Sequence, residues 1–317
     1  MRNLRPAIFR ELTESEALGM KPLRLSRNNR NRLTALGFLA PNLLGFLVFT
    51  LIPIVIGIGM SFFRWDGAND PVFIGLKNFA RMFTDTKFAN SLRVTLTYTL
   101  LTVPITIVLS LFIASLLTTK IRATSAFRSV FFFPYIASIV AVAIVWQFLY
   151  HAELGPINQF LHALGIANPP RWTSSKDTAL LAVAIMNVWR AVGYYMVLFI
   201  AGLVGIPASL YEAGAIDGAN AWQKFRHITL PMLSPTTFFV VIISIINSFQ
   251  AFTPIYIMTG GGPGIATQVL VFRIYEESFV LSNFGYASAM AMALFLIVLV
   301  FTVFQFRTQE KNVAYMQ

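Results

Sequence analysis

Few side chains in this sequence could make or break bonds, and their placement argues for binding instead. There is no cysteine, which excludes disulfides, thiolate metal sites and a cysteine nucleophile. His151, His162 and His227 stand far apart in sequence, so a histidine metal site is not expected. What remains is a set of polar groups inside long apolar runs. Asn187 and Arg190 lie in one run, and Ser244, Asn247 and Gln250 in a later one. Ser244, Asn247, Ser248 and Ala251 recur at i, i+3, i+4 and i+7, a polar, small-residue stripe that should face inward rather than lipid. If the two runs are antiparallel helices centred near Val192 and Ser244, a rise of about 1.5 Å per residue sets all four long polar groups in one slab. Asn187 and Arg190 fall roughly 7 and 3 Å, and Asn247 and Gln250 roughly 5 and 9 Å, to the same side of the midplane. Amide and guanidinium groups there offer planar partners to a hydroxyl-rich solute. A central arginine costs about 2.5–3.5 kcal/mol on insertion scales, so it should face the bundle or a wet cavity. The plainer readings are a structural bond from Arg190 to a backbone carbonyl, and interhelical bonds for Asn247 and Gln250.

The elements that must position these groups are apolar. Of 317 residues, 56% are hydrophobic and only 12% charged, with mean hydropathy +0.69. A soluble domain carries roughly 25% charged residues; a chain with half of that finds its solvent in lipid. Six apolar stretches each reach the roughly 20 residues a spanning helix needs: 33–63, 90–118, 126–150, 179–204, 230–258 and 283–306. The expected fold is an all-α integral membrane protein, a six-helix polytopic bundle. Pro41 and Pro53 sit in the overlong first stretch, so its second half is the part expected to span.

The charges assign sides. Residues 1–32 hold eight Lys/Arg and read as a basic cytoplasmic tail. With the N-terminus inside, the inside segments hold 15 Lys/Arg and the outside segments 7. That bias places both termini in the cytoplasm and accounts for much of the net charge of +11 without nucleic acid. Outside, Leu76, Phe79, Ala80 and Phe83 at helical spacing predict a short amphipathic helix on the membrane surface. Gly260-Gly261-Gly262-Pro263-Gly264 predicts a chain reversal, not a phosphate loop, because no Lys-Ser/Thr pair follows. The chain divides into the tail 1–32, a first span with its outer amphipathic segment 33–89, a transmembrane core 90–306, and a tail 307–317.

One inside loop, 205–229, carries the most specific signal. Pro207 suits a first helical turn, and Gly218 is placed to stop the helix in a left-handed conformation, leaving about ten helical residues. Taken alone, this could be an ordinary interhelical connector. However, Glu212-Ala213-Gly214, then Gly218, then Ile228, Leu230 and Pro231 reproduce the spacing of the EAA loop of ABC-importer permeases. One position departs, with Gly214 in place of alanine. The chain also resembles the maltose- and glycerol-phosphate-type permeases of carbohydrate importers in Gly75-Leu76-Lys77-Asn78-Phe79, Trp189 with Gly193, Asp217-Gly218-Ala219, and Phe284-Gly285-Tyr286-Ala287.

The resemblance implies a type I importer permease in a prokaryotic plasma (inner) membrane. It implies a second, usually non-identical permease, two cytoplasmic ATPases each receiving one such loop, and an extracytoplasmic solute-binding protein. By the same resemblance Glu212, Ala213, Gly214, Asp217, Gly218, Ala219, Ile228, Leu230 and Pro231 form the ATPase-coupling loop. No Walker motif is present, so ATP and magnesium are expected on the partner ATPase, with no cofactor and no covalent reaction in this chain. The expected cargo is a sugar or sugar derivative, with glycerol phosphate or peptide as alternatives. An ion-coupled secondary transporter is disfavoured, because the six stretches hold no acidic or histidine residue for ion coupling.

Overall fold

The computed structural model describes residues 27–118 and 124–313, with side chains described over 35–118 and 124–308. Most of the basic tail, and the loop charges Lys120 and Arg122, lie outside the described residues. The described chain is almost entirely helical. Four helices are long and apolar enough to cross a membrane, and two bent helix pairs bring the count to six.

The first compact unit, Met1–Ile56, holds α1 (Arg27–Phe46), a π-helical turn (Leu47–Leu51) and the start of α2 (Ile52–Met60). The described residues are helical from Arg27 on, within the stretch read as tail, and Pro41 sits within α1.

The second unit, Gly57–Gln317, opens with the only strands among the described residues, Phe63–Arg64 paired antiparallel with Val72–Phe73. The expected amphipathic helix follows as α3 (Lys77–Thr84). Its residues packed against the protein are Asn78 and Met82, which leaves Leu76, Ala80 and Phe83 exposed on the apolar face read from the sequence. Asn78 Nδ2 donates to the Ser61 and Phe63 carbonyls at 2.8 and 2.9 Å, whereas Phe83 is 93% exposed. Two open backbone acceptors recruited the amide inward.

The core is built on α4 (Thr86–Leu117) and α8 (Ala179–Val204). Asp85 caps α4, accepting from the Lys87 and Phe88 amides at 2.8 and 3.3 Å. The buried side of α4 runs Ser91, Thr95, Tyr98, Thr102, Thr106, Ser110 and Ala114 at three- and four-residue spacing. Small side chains let helices approach closely, and Ser110 Oγ donates to the Val192 carbonyl of α8 at 2.9 Å. On another side of α8, Gly193 lets α5 (Thr124–Ile136) come so close that a Cβ there would collide with the Phe131 carbonyl.

Two of the expected spans are bent. The third divides into α5 and α6 (Ile139–Leu149), which meet at 95°. Ser138 leaves the helical region at ψ 124°, and Pro134 has already removed one N–H from the last turns of α5. The fifth begins as a short run ending in α11 (Leu230–Met232), then bends by 66° into α12 (Ser234–Phe249), where Pro235 occupies the first turn. The helix expected to reach Met258 instead stops at Phe249 and restarts as α13 (Thr253–Met258). Pro254 lacks the N–H that would bond the Gln250 carbonyl, and its ring would clash with that group. The chain ends its described course in α15 (Phe284–Val313). Between them stand α7 (Pro156–Ala163), the loop helices α9 (Ala208–Ile216) and α10 (Ala221–Lys224), and α14 (Leu270–Tyr275).

Candidate functional site

The α5–α6 bend and the break after α12 border one cavity of about 230 Å³. Tyr135 and Ile139 reach it from either side of the α5–α6 bend. Ala251, Phe252, Thr253 and Pro254 reach it from the break after α12. The polar residues singled out in the sequence all line it: Asn187, Arg190, Ser244, Asn247 and Gln250. The stripe Ser244, Asn247, Ser248 and Ala251 faces it as expected. Gln250 reaches it as the residue that ends α12, not as part of a continuing helix.

Four of these polar groups are hydrogen-bonded within the protein. Asn247 Nδ2 donates to Tyr195 Oη at 3.2 Å. Ser248 Oγ donates to Thr99 Oγ1 at 2.9 Å and lies 3.2 Å from Thr102 Oγ1, tying α12 to α4. Ser244 Oγ donates to the Val241 carbonyl of its own helix at 3.0 Å. The Arg190 guanidinium lies 4.9 Å from the Tyr135 ring centre, and its Nη2 donates to the Tyr135 carbonyl at 3.3 Å. Tyr135 in turn stacks on Tyr194 at 4.4 Å and 13°. The carbonyl bond expected of a structural Arg190 is thus present, and so is the cavity.

The loop region is built differently. Pro207 precedes α9, Asp217 caps its C-terminus, and Gly218 takes φ +77°. The Gly218 amide donates to the Ala215 carbonyl at 3.1 Å and the Ala219 amide to the Gly214 carbonyl at 2.8 Å, satisfying the open carbonyls of the last turn. Gly214 faces Ile228: a Cβ there would sit 3.0 Å from the Ile228 side chain. Glycine in place of alanine therefore seats the helix closely on Ile228, another residue of the spacing pattern. Tyr211 Oη and Thr229 Oγ1, 2.9 Å apart, pin the same face one turn earlier. Next come α10, its Asn220–Gln223 capping box, and Leu230 and Pro231 at the start of α11. Glu212, Ala213 and Asp217 remain exposed, Ile216 is 88% exposed and Trp222 65%. This is a small-residue helix with a carboxylate and two uncovered apolar side chains, held rigidly from behind.

Residues 79–311 match the family described as binding-protein-dependent transport system inner membrane component. The chain belongs to that family. It is a multi-span membrane permease, a transport subunit. A probable ABC transporter permease of Bacillus subtilis, YesP, is 38% identical over 308 residues, covering 96% of this chain and 98% of the relative. A probable permease of a starch degradation products transport system, AmyD of Thermoanaerobacterium thermosulfurigenes, is 35% identical, covering 87% and 94%. Among solved structures, a chain of a bacterial ABC transporter involved in import of the acidic polysaccharide alginate superposes with a TM-score of 0.75 at 21% identity, covering 96% and 98%. That likeness shows the shared permease fold.

Some features of the permease were missed in the sequence. Thr102 and Thr106 line the cavity and could have been found, since they continue the small polar stripe of α4. Tyr135 and Tyr195 carry no local signal. Far from the cavity in sequence, Arg273 is 3% exposed among Asp85, Glu276 and Glu277. The spacing i, i+3, i+4 from Arg273 was its legible sign. Asp85 joins three elements there: it caps α4, accepts from Tyr286 Oη of α15 at 2.7 Å, and lies 4.0 Å from Arg273 of α14. Burial raises its carboxyl, but hydrogen bonds from Tyr286 and the Phe88 and Lys87 amides, with the Arg273 charge, outweigh that. Its pKa is held below the ordinary value.

Proposed function

We propose that this permease forms half of the translocation path for a sugar or sugar derivative, with ATP hydrolysed on separate cytoplasmic subunits. The observation that carries this reading is the cavity. It gathers three amides, a guanidinium and several hydroxyls between spanning helices, where lipid-facing positions are apolar. Such groups exchange hydrogen bonds with a hydroxyl-rich solute without holding it tightly. The names of the relatives point the same way, one to starch degradation products and the structural neighbour to alginate.

In this reading both termini and the loop 205–229 face the cytoplasm, and α9 is the coupling helix. Glu212 meets a basic group of the ATPase, while Ile216 and Trp222 fill apolar positions of its surface cleft. ATP and magnesium stay on that partner. A second, non-identical permease closes the path, and an extracytoplasmic binding protein delivers cargo.

The test is uptake into proteoliposomes holding the complete transporter, with its binding protein outside and ATP inside. Labelled oligosaccharides are compared with labelled peptides. Saccharide uptake that requires ATP is the expected result. Peptide uptake without saccharide uptake contradicts the cargo assignment.

A further inference from the structure

The cavity and the outer end of the bundle each contain an arginine, and the fold treats the two in opposite ways. Arg273 is surrounded by carboxylates: Nη1 is 2.6 Å from Glu276, Nη2 bonds Glu277, and Asp85 lies 4.0 Å away. That charge is neutralised where it stands. Arg190 has no carboxylate partner among the described residues, and the cavity it lines contains no aspartate or glutamate. Its one protein hydrogen bond, to the Tyr135 carbonyl, is long at 3.3 Å, and its buried Nε has no partner. An arginine at membrane depth ordinarily finds a counter-charge or a set of carbonyls. Here the protein supplies one carbonyl and a ring face.

The ring face matters to what the guanidinium can bind. Tyr135, backed by Tyr194, occupies one side of the guanidinium at 4.9 Å. Stacking fixes the plane of the side chain, so less freedom is lost when the remaining N–H groups engage an anion in two parallel bonds. Around it, Asn187, Asn247, Gln250 and Thr102 supply neutral donors and acceptors at the scale of a monosaccharide ring.

We infer that this cavity selects a saccharide bearing a carboxylate or phosphate, with Arg190 as the group that meets the anion. The inference rests on the saccharide reading above and narrows its substrate class. A neutral sugar leaves the arginine charge unmatched in the cavity, whereas an acidic one neutralises it during passage. Arg190 then sets specificity.

The test uses the complete transporter in lipid nanodiscs, without binding protein, and three probes: digalacturonate, glucose 6-phosphate and maltose. Equilibrium binding of each is measured on the wild type, Arg190→Gln and Arg190→Lys, with assembly checked by co-purification of the ATPase. The quantity read is the ratio of anionic to neutral affinity. In the wild type the ratio is expected to be about tenfold or more for at least one anionic probe, the size of a charge-assisted contact. Whether digalacturonate or glucose 6-phosphate shows it tells carboxylate from phosphate. The ratio should fall to near unity in Arg190→Gln and recover in part in Arg190→Lys. Three outcomes overturn the proposal: a wild-type ratio near one, a ratio unmoved by Arg190→Gln, and equal losses for charged and neutral probes. The last marks Arg190 as a packing group. Failure of the saccharide reading looks different, because then none of the three probes binds, and the proposal goes with it.

Discussion

On the proposed function the cavity and the loop helix α9 serve one transport cycle, yet they are assembled by opposite means. The loop is local: a proline, a left-handed glycine and two backbone bonds shape nine residues, and Gly214 seats them on Ile228 fourteen positions later. The cavity is collective. Its walls come from α4, α5, α6, α8, α12 and α13, and it is bordered by the α5–α6 bend and by the break between α12 and α13. The difference teaches where damage should spread. Overpacking the close contacts between the helices that wall the cavity should disturb the fold, whereas a change in the loop should disconnect function while the fold stands.

The largest effect is expected from breaking the α5–α8 contact. Gly193→Leu drives a side chain into the Phe131 backbone, which cannot yield as a flexible side chain can. Overpacking of this kind costs about 1–3 kcal/mol or more. Membrane abundance and transport should fall together, as read by immunoblot and uptake. Normal abundance would mean that the helices are not held at this distance.

Next in size, Gly218→Pro separates the two regions. Proline cannot take φ +77° and cannot donate to the Ala215 carbonyl. Uptake should drop by about tenfold or more, with abundance kept, since a disrupted anchor helix at an interface typically costs at least about 1.4 kcal/mol. Glu212→Ala should act in the same direction and less strongly. Wild-type transport by both variants would remove the case for a coupling helix.

A smaller effect belongs to the cluster of Arg273 and Asp85. The Asp85 carboxyl is held below its unfolded value, so its contribution to stability is complete above about pH 3.9 and is lost as pH falls through the lower folded value. Thermal unfolding of the purified complex between pH 7 and pH 3 should show an acid decline that Asp85→Asn reduces. An unchanged decline would assign it to other carboxylates.

How much of this was legible follows from the same contrast. The spacing from Glu212 to Pro231 is written along the chain, so the helix, its stop at Gly218 and its exposed face could be read directly. The stripe from Ser244 to Ala251 was also readable, because one helix carries it. What could not be read were consequences of several helices meeting. Tyr135 and Ile139 border the cavity from the two sides of the 95° bend at Ser138. Pro254 was visible, but a proline in an apolar run can be absorbed, as Pro104 is within α4, or can end the helix, as Pro254 does. Asn78 turned inward because the Ser61 and Phe63 carbonyls needed a donor, which no periodicity records.

The central claim is that the cavity is the path, and a chain without cysteine permits a direct measurement. A single cysteine at Asn247 is placed in the complete transporter, with Phe112→Cys, exposed on the outside of α4, as the lipid-facing control. The rate of modification by a small, charged thiol reagent is followed at rest, during ATP turnover, and with saturating cargo. Asn247→Cys should react in at least one state, change rate by about fivefold or more with turnover, and be slowed by cargo, while Phe112→Cys stays unreactive throughout. If Asn247→Cys is as inert as Phe112→Cys, or reacts at one rate whatever the state and cargo, the cavity is packing between helices and the solute crosses elsewhere.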